Sequence, residues 1–411
     1  MNNKIKECRS CQSKELKFLF SLGSMPYSGI FPIRNQSIDF GKLTLVICDY
    51  CKLVQLDRNF NPKKMYGNNY GYRTGLNSSM VRHMMLKAKK LKKYLNYKKK
   101  EQIVLDIGSN DGTFLGFFNS SKCKLFGIDP TIRKFKKFYK KGIVTLNSFF
   151  SYKSFINKSN KKADLITTIS MLYDLPNPKV FIQDIYDSLS ENGVWHTEQS
   201  YLKYMLEKNS YDTICHEHIE YYSLQSLKYL FDSVGFKIIE IDFNDTNGGS
   251  IALTLAKVSS NKFKEQKEKV RRIINNENNI ELNAPKTFNK FFIRVKKESK
   301  KLVNLLRRIK SENKIVLGYG ASTKGNIILN FCKINSELLK YIGEVNPFKF
   351  GKQTPGSKIE IIPEIKAKNM KPEYFLVFPW HFKKFILRKE KKNIKKKSIR
   401  FIFPLPKLTI V

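Results

Sequence analysis

Two histidines flank a carboxylate in the stretch YDTICHEHIEYYS at 211–223: His216, Glu217 and His218, in a chain with five histidines in all. Imidazole titrates near neutral pH, and a neighbouring carboxylate can fix its tautomer and raise its basicity, so this segment suits the movement of a proton. Two histidines two residues apart could instead join a metal site, or form a structural polar cluster. A second constellation is four cysteines, Cys8 with Cys11 and Cys48 with Cys51, as two C-x-x-C pairs. A thiolate tetrad so spaced suits tetrahedral Zn²⁺, and with every ligand drawn from the protein the site would be closed and structural. Cys123, Cys215 and Cys332 are scattered, and seven cysteines in 411 residues do not make a disulfide framework.

Two glycine-rich turns complete the set. IVLDIGSNDG at 103–112 reads as a buried strand opening through Gly108 and Gly112 into a helix, predicted over 112–118, whose first N–H groups would face a ligand. Asp129 ends the following strand, where an acidic side chain can hold both ribose hydroxyls. The glycines are not spaced as G-x-G-x-x-G, and the turn resembles the S-adenosylmethionine loop of class I methyltransferases, D-x-G-x-x-x-G with an acidic second strand. That resemblance assigns Asp106, Gly108, Ser109, Asn110, Gly112 and Asp129 to the cofactor. GYGASTKGN at 318–326 also leaves a strand for a helix. Its Gly318, Gly320 and Gly325 either receive a diphosphate, with Lys324 as charge partner, or permit close packing of strand on helix.

The elements that must position these groups alternate. Strands at QIVLDIG, KLFGIDP, IVTLN, ADLITTIS and GVWHTEQ are interleaved with helices near 112–118, 132–141 and 177–189, which argues for a doubly wound parallel sheet. KIIEIDF and SIALTLAKV, joined by NDTNGG, read as a closing antiparallel pair. Residues 260–312 read as charged helix packed on one face, and a second α/β unit starts at KIVLGYG. The expected organisation is a zinc-binding module at 1–62, a class I methyltransferase core at 63–258, and a connector with a C-terminal Rossmann-like α/β domain at 259–411.

In this order, DIGSNDGTFL, YGNNYGYRTG, CHEHIEYYSL, NGGSIALTL, GYGASTKGN and FPW … FIFPLP resemble the sugar C-methyltransferase family over nearly the whole chain. That family methylates nucleotide-linked deoxyketosugars. The chemistry is coherent: a base takes the weakly acidic proton beside a ketone, and the enolate attacks a sulfonium methyl. The resemblance makes His218 a near-neutral base with Glu217 as its partner, His216 a supporting hydrogen-bonding residue, and Tyr70 or Tyr72 the residue that orients the sugar. Two positions depart from the family. Cys215 stands where tyrosine is frequent, as a small buried residue or, with a thiol pKa lowered by His216, a nucleophile. Asp174, beside Tyr173, stands where a histidine is frequent near the substrate. Alternatives are an O- or N-methyltransferase of another small metabolite or of RNA, and a non-catalytic zinc- and nucleotide-binding scaffold.

Net charge is +41 from 76 basic and 35 acidic residues, yet the lysines are dispersed, in runs at 87–100, 133–141 and 389–397, without a nucleic-acid reading motif. Nucleic acid is therefore not the expected partner, although so basic a surface favours acidic ligands such as nucleotide diphosphates. No run of about eighteen apolar residues exists and the N-terminus lacks a signal-peptide core, so a cytoplasmic location is expected.

Overall fold

The computed structural model describes residues 3–66, 70–96, 101–395 and 399–411. Residues 67–69 of the Tyr-rich loop, and 97–100 and 396–398 of two lysine runs, lie outside the described residues. The middle of the chain forms one seven-stranded sheet from Gln102–Ile107, Cys123–Ile128, Ile143–Leu146, Ala163–Ile169, Leu189–Ser200, Phe236–Asn244 and Ser250–Lys257. Counted in chain order, these strands lie 3-2-1-4-5-7-6 across the sheet. The first five are parallel, and Ser250–Lys257 runs antiparallel to both neighbours, as the closing pair requires. QIVLDI at the centre is buried at every position, the pattern of a parallel strand covered on both faces. The order reverses at this strand, which opens a crevice beyond the carboxyl ends where open sheets bind ligands.

Two helices expected from sequence are shorter in the structure. In place of a helix at 112–118 there is one 3₁₀ turn, Leu115–Phe117. Gly112 sits at φ +74°, and Asp111 Oδ1 accepts from both the backbone N–H and the hydroxyl of Thr113, an Asx turn that competes with helical bonding. In place of 132–141 there is Ile132–Phe135 and a 3₁₀ turn, Lys136–Phe138; the lysine-rich run offers no acidic partner to steady a longer helix. Helix Tyr152–Ser159, closed by a Ser151/Ser154 capping box, was not foreseen.

The N-terminal module is a four-stranded antiparallel sheet whose last strand comes from far along the chain. Leu16–Pro26 pairs with Phe40–Cys48, that strand with Val54–Leu56, and Val54–Leu56 with Glu220–Tyr221. The turn-rich reading of SLGSMPYSGIFPIRN missed Leu16–Pro26, and nothing local could have announced Glu220–Tyr221. The residues directly after His218 are thus part of the cysteine module's sheet.

The C-terminal sheet has six strands in the order Glu360–Pro363, Tyr341–Glu344, Val316–Tyr319, Tyr374–Val377, Arg400–Phe403 and Thr409–Ile410; the first five are parallel. Helix Pro285–Ser311 buries Phe288, Phe291, Val295, Leu302, Leu305, Leu306 and Ile309 at three- and four-residue spacing and leaves its lysines outside. Phe20 of the N-terminal module stacks on Phe292 at 4.7 Å and meets Phe291 at 5.8 Å. One apolar cluster therefore runs from the N-terminal strands through this helix into the C-terminal sheet. Each buried phenylalanine contributes about 1.5–3 kcal/mol, so the helix fastens the two modules together. Helix Lys267–Asn279, in the segment read as connector, packs on the core instead, with Val270 in the core's own cluster. None of the described helices is long and apolar enough to cross a membrane.

Candidate active site

The glycine turn of the core is built from its own side chains. Gly108 and Gly112 take φ +76° and +74°, a region open to glycine without strain, and a Cβ on Gly108 would press on Met171 at 3.1 Å. Asp129 Oδ2 accepts from Asn110 N at 2.9 Å, and its Oδ1 accepts from Thr131 N and Oγ1 at 2.7 and 2.5 Å. Ser109 Oγ and Tyr139 hydroxyl lie 2.7 Å apart, and the Tyr139 hydroxyl also donates to Asn110 O at 3.0 Å. With Gly112 N on Ser109 O, much of the turn's backbone is satisfied internally, so the helix N-terminus expected to face a ligand is absent. Asp106, on the central strand, accepts from Thr167 Oγ1 at 2.6 Å, and burial pushes its carboxyl up to about 7 despite that bond, with Asp129 adding to the rise. A turn that only glycine fills without crowding, between two buried carboxylates at strand ends, fits an adenosine-bearing ligand.

The Tyr-rich loop lies on this turn. Asn110 Oδ1 accepts from Thr74 N at 2.9 Å, its Nδ2 donates to Tyr72 O at 3.2 Å, and Asp111 Oδ2 accepts from Gly75 N at 2.9 Å. Tyr72 itself is 45% exposed. Tyr70 points inward: burial raises its phenol well above 10, and Asp129, Asp174 and Glu217 raise it further. Tyr66, overlooked in the sequence, donates to Asp174 Oδ2 at 2.6 Å. Asp174 is half-buried, and its carboxyl is held well above the usual range by desolvation first and by the charges of Glu217 and Glu220.

The HEH segment splits its three side chains among three environments. His216 Nε2 donates to Gly41 O at 3.2 Å, while Nδ1 accepts from Ser28 N at 3.4 Å and lies 3.2 Å from the Ser28 hydroxyl oxygen. Both nitrogens are thus engaged by the N-terminal module, and burial depresses the imidazole to about 4. Glu217 was expected to partner His218, but its Oε2 takes the Ser28 hydroxyl at 3.4 Å and its Oε1 lies where a Cβ on Gly29 would be, 1.7 Å away. Consecutive side chains diverge, so the carboxylate cannot serve the adjacent imidazole. His218 is steadied by its own segment: Nδ1 donates to Thr213 O at 3.1 Å, which leaves Nε2 as the basic lone pair. The ring stands edge to face with Tyr173 at 4.4 Å, and the loop bearing Tyr173 begins at Met171 on the glycine turn. His218 is not near-neutral as expected. Burial, followed by the charge of Lys324, lowers it to about 3.

Cys215 is fully buried, and burial together with the Glu217 charge raises its thiol well above 9. These surroundings favour Cys215 as a small core residue over an activated thiolate. Nor do His216 and His218 share a metal; among the described residues the one group placed to hold an ion is Cys8, Cys11, Cys48 and Cys51, whose sulfurs all lie within 4.8 Å of one another. Cys8 and Cys51 are 3.5 Å apart, Cys11 and Cys48 3.4 Å. A tetrahedron with Zn–S bonds of about 2.3 Å has edges of about 3.8 Å, so the tetrad fits Zn²⁺ closely.

The GYGASTKGN turn of the third domain is not a phosphate cradle. A Cβ on Gly325 would strike Phe378 at 2.7 Å, one on Gly318 would strike Ile342 at 2.6 Å, and one on Gly320 Pro379 at 2.9 Å. Glu344 Oε2 already accepts from Ala321 N at 2.8 Å. The glycines serve close packing, and Lys324 turns away, donating to Asn247 O at 3.0 Å. Asn326 Nδ2 donates to Ser28 O at 2.7 Å, so the segment 28–29, the HEH segment and this helix meet at one junction of all three domains. Ser28, Gly29 and Asp212 stand outside the residues singled out in sequence, because their roles come only from that junction; Trp380, expected either to face the inter-domain cleft or to pack there, packs against Asp212 and Gly248.

Three family models match the chain in succession: a zinc-binding domain at residues 8–66, a methyltransferase domain at 80–241 and a C-methyltransferase C-terminal domain at 245–406. Together the three matches span most of the chain and describe a C-methyltransferase with an N-terminal zinc-binding domain. C-methyltransferase NovU of Streptomyces niveus is 27% identical over 414 residues, covering 99% of this chain and 97% of that protein. Among solved structures, the plantazolicin methyltransferase BpumL is 13% identical over 44% of this chain and 85% of its own, with a TM-score of 0.34. A SAM-dependent methyltransferase of Leishmania major is 12% identical over 43% of this chain and 72% of its own, with a TM-score of 0.32. Both structural likenesses are too slight to carry an argument. The protein is an S-adenosylmethionine-dependent C-methyltransferase with a structural zinc site.

One consequence of the Gly29 contact can be measured. In Gly29→Ala the new methyl displaces the Glu217 carboxylate, since the Cβ would stand 1.7 Å from Oε1 at the end of a flexible side chain. Misplacement of about 1 Å in a site costs up to about a hundredfold. We expect kcat/KM to fall about 10- to 100-fold, with zinc content and S-adenosylhomocysteine affinity unchanged; kinetics equal to wild type would show that the Glu217 position is immaterial.

Proposed function

We propose that this enzyme methylates a carbon beside the ketone of a nucleotide-linked sugar, with His218 as the general base. The reading rests above all on one observation: His218 has its Nδ1–H committed to Thr213 O, so its Nε2 is a fixed, unprotonated acceptor next to Tyr173 and, through that loop, to the cofactor turn. Nε2 takes the proton, the C–H electron pair forms the carbon–carbon double bond, and the carbonyl electrons move to oxygen. S-adenosylmethionine, when bound, supplies a sulfonium methyl that the enolate carbon takes, leaving the carbon–sulfur electrons on sulfur. The proton on His218 then passes to solvent.

The remaining groups suit a sugar and its carrier. Half-buried Asp174 and Tyr70 with buried Glu217 form a polar group able to hold hydroxyls, while Ser28 positions Glu217. Lys134 donates to Tyr70 O at 2.6 Å, and Lys349 donates to Ala321 O at 2.7 Å and lies against Gly71. Burial lowers both ammoniums; Lys352 and Lys349 lower Lys134 further, and Lys352 lowers Lys349 against the opposing charge of Glu344, so three lysines and one carboxylate meet where the Tyr-rich loop joins the third domain. Convergent like charges favour an anion such as a nucleotide diphosphate.

Calorimetric titration with S-adenosylhomocysteine, with and without thymidine or uridine diphosphate, tests the reading. Micromolar cofactor binding tightened by one nucleotide is expected, and names the carrier. Cofactor binding unaffected by either nucleotide would remove the nucleotide-linked substrate from the proposal.

A further inference from the structure

Behind His218 lies a buried polar group drawn from two domains. Asp212 is fully buried; its Oδ2 accepts from Trp380 Nε1 at 2.8 Å, and its Oδ1 has no partner among the described residues. His381 Nδ1 is likewise buried without a partner. Lys324 reaches this space from the third domain. It donates one N–H to Asn247 O, on a turn where Asn247 takes φ +55° and Gly248 abuts Trp380. Its charge acts on Asp212, Cys215, His218 and His381. An ammonium has three donors, and the hydrogen bond to Asn247 uses one. Unpartnered buried polar atoms around a cation mark a place built for a polar group that arrives from outside.

We propose that Lys324 is a catalytic residue whose ammonium, with Asp212 as its counter-ion, holds the substrate's carbonyl oxygen and stabilises the negative charge that develops there as His218 removes the proton. The inference rests on the enolate reading above. The chemistry calls for such a group, because an imidazole as weakly basic as His218 forms an enolate at a useful rate only if the oxyanion is stabilised. Burial lowers the Lys324 ammonium below its usual range, and the Asp212 carboxylate opposes that loss of the proton. In the balanced step the carbon-bound proton goes to Nε2 and the carbonyl electron pair comes to rest on an oxygen hydrogen-bonded by Lys324; no bond to Lys324 itself forms or breaks.

The charge that acts on His218 is that of Lys324 from the third domain, and Tyr173 and Glu220 line the same small cavity. Removing Lys324 takes away a cation, so the His218 pKa rises and the acid limb of kcat/KM moves to higher pH. The direct readout is exchange of the proton beside the ketone in D₂O, followed by NMR on a thymidine- or uridine-diphosphate-linked 4-keto-6-deoxyhexose with S-adenosylhomocysteine bound. Loss of one oxyanion donor costs about 10²- to 10³-fold. Lys324→Met and Lys324→Gln are expected to slow exchange by that factor and shift the acid limb upward at unchanged cofactor affinity, with Lys324→Arg partly restoring exchange. Exchange at the wild-type rate in either folded variant overturns the proposal. If the wild-type enzyme itself exchanges neither sugar's proton, the ketosugar reading fails and this proposal falls with it, an outcome distinct from failure of the Lys324 role alone.

Discussion

His218→Ala lowers turnover by about 10²- to 10⁴-fold while S-adenosylhomocysteine binds within about threefold of wild type. The size follows from the usual contribution of a positioned general base. The selectivity follows from geometry: His218 contacts Thr213 O and the Tyr173 ring, whereas the cofactor turn is held by Asp129, Tyr139 and Asn110. The backbone at 218 is held without the imidazole, because the Tyr221 hydroxyl donates to His218 O at 2.7 Å and Ile219 N donates to Tyr173 O at 2.9 Å. His218→Gln, which keeps polarity and bulk, gives the same loss. Steady-state kinetics with calorimetry on the same preparations check both halves, and unimpaired turnover in either variant removes His218 as the base.

Cys8→Ser, or chelation of the wild-type protein, strips zinc and disables the enzyme at a distance. Cys8 Sγ accepts from Gln55 Nε2 at 3.2 Å. Arg9, one residue on, donates to Gln55 Oε1, Leu56 O, Arg58 O and Asn59 Oδ1 at 2.7–3.1 Å. The strand so anchored, Val54–Leu56, pairs with Glu220–Tyr221, and Leu56 N donates to Ile219 O at 2.8 Å. Release of the metal therefore loosens the backbone that carries His218. Structural zinc binding in small domains is worth about 10–16 kcal/mol and is coupled to folding. Even a net loss of about 3 kcal/mol lowers Tm by roughly 6–12 °C. Metal content by mass spectrometry, Tm and turnover should fall together in Cys8→Ser, with cofactor affinity less affected. A serine variant that keeps its zinc and its Tm would show that the tetrad is no structural site.

The local pattern was enough for whatever depends on short stretches of chain. Paired C-x-x-C knuckles, the buried run QIVLDI opening at Gly108, alternating strands and helices, and the charged helical stretch at 260–312 each reflect a physical requirement met within a few residues; the last is present as two helices, Lys267–Asn279 and Pro285–Ser311. The glycines of GYGASTKGN show where such reading stops: a Gly-rich turn after a strand has the same sequence whether it admits a phosphate or a phenylalanine, and only the arrival of Phe378 and Pro379 decided for packing. The partners of the HEH segment are a clearer case. Adjacency in sequence suggested that Glu217 serves His218, but side chains at neighbouring positions point apart, and the tertiary structure gave Glu217 to Ser28, His216 to Gly41 and His218 to Thr213. Charge was legible as composition yet not as chemistry, since the depressed basicity of His218 comes from burial and from Lys324, more than a hundred residues away in sequence. Sequence alone determined which reactive groups the chain owns and which elements bear them. Tertiary structure decided which of them are desolvated together, because burial and long-range contact, rather than residue type, set the protonation state and the free lone pair on which catalysis depends.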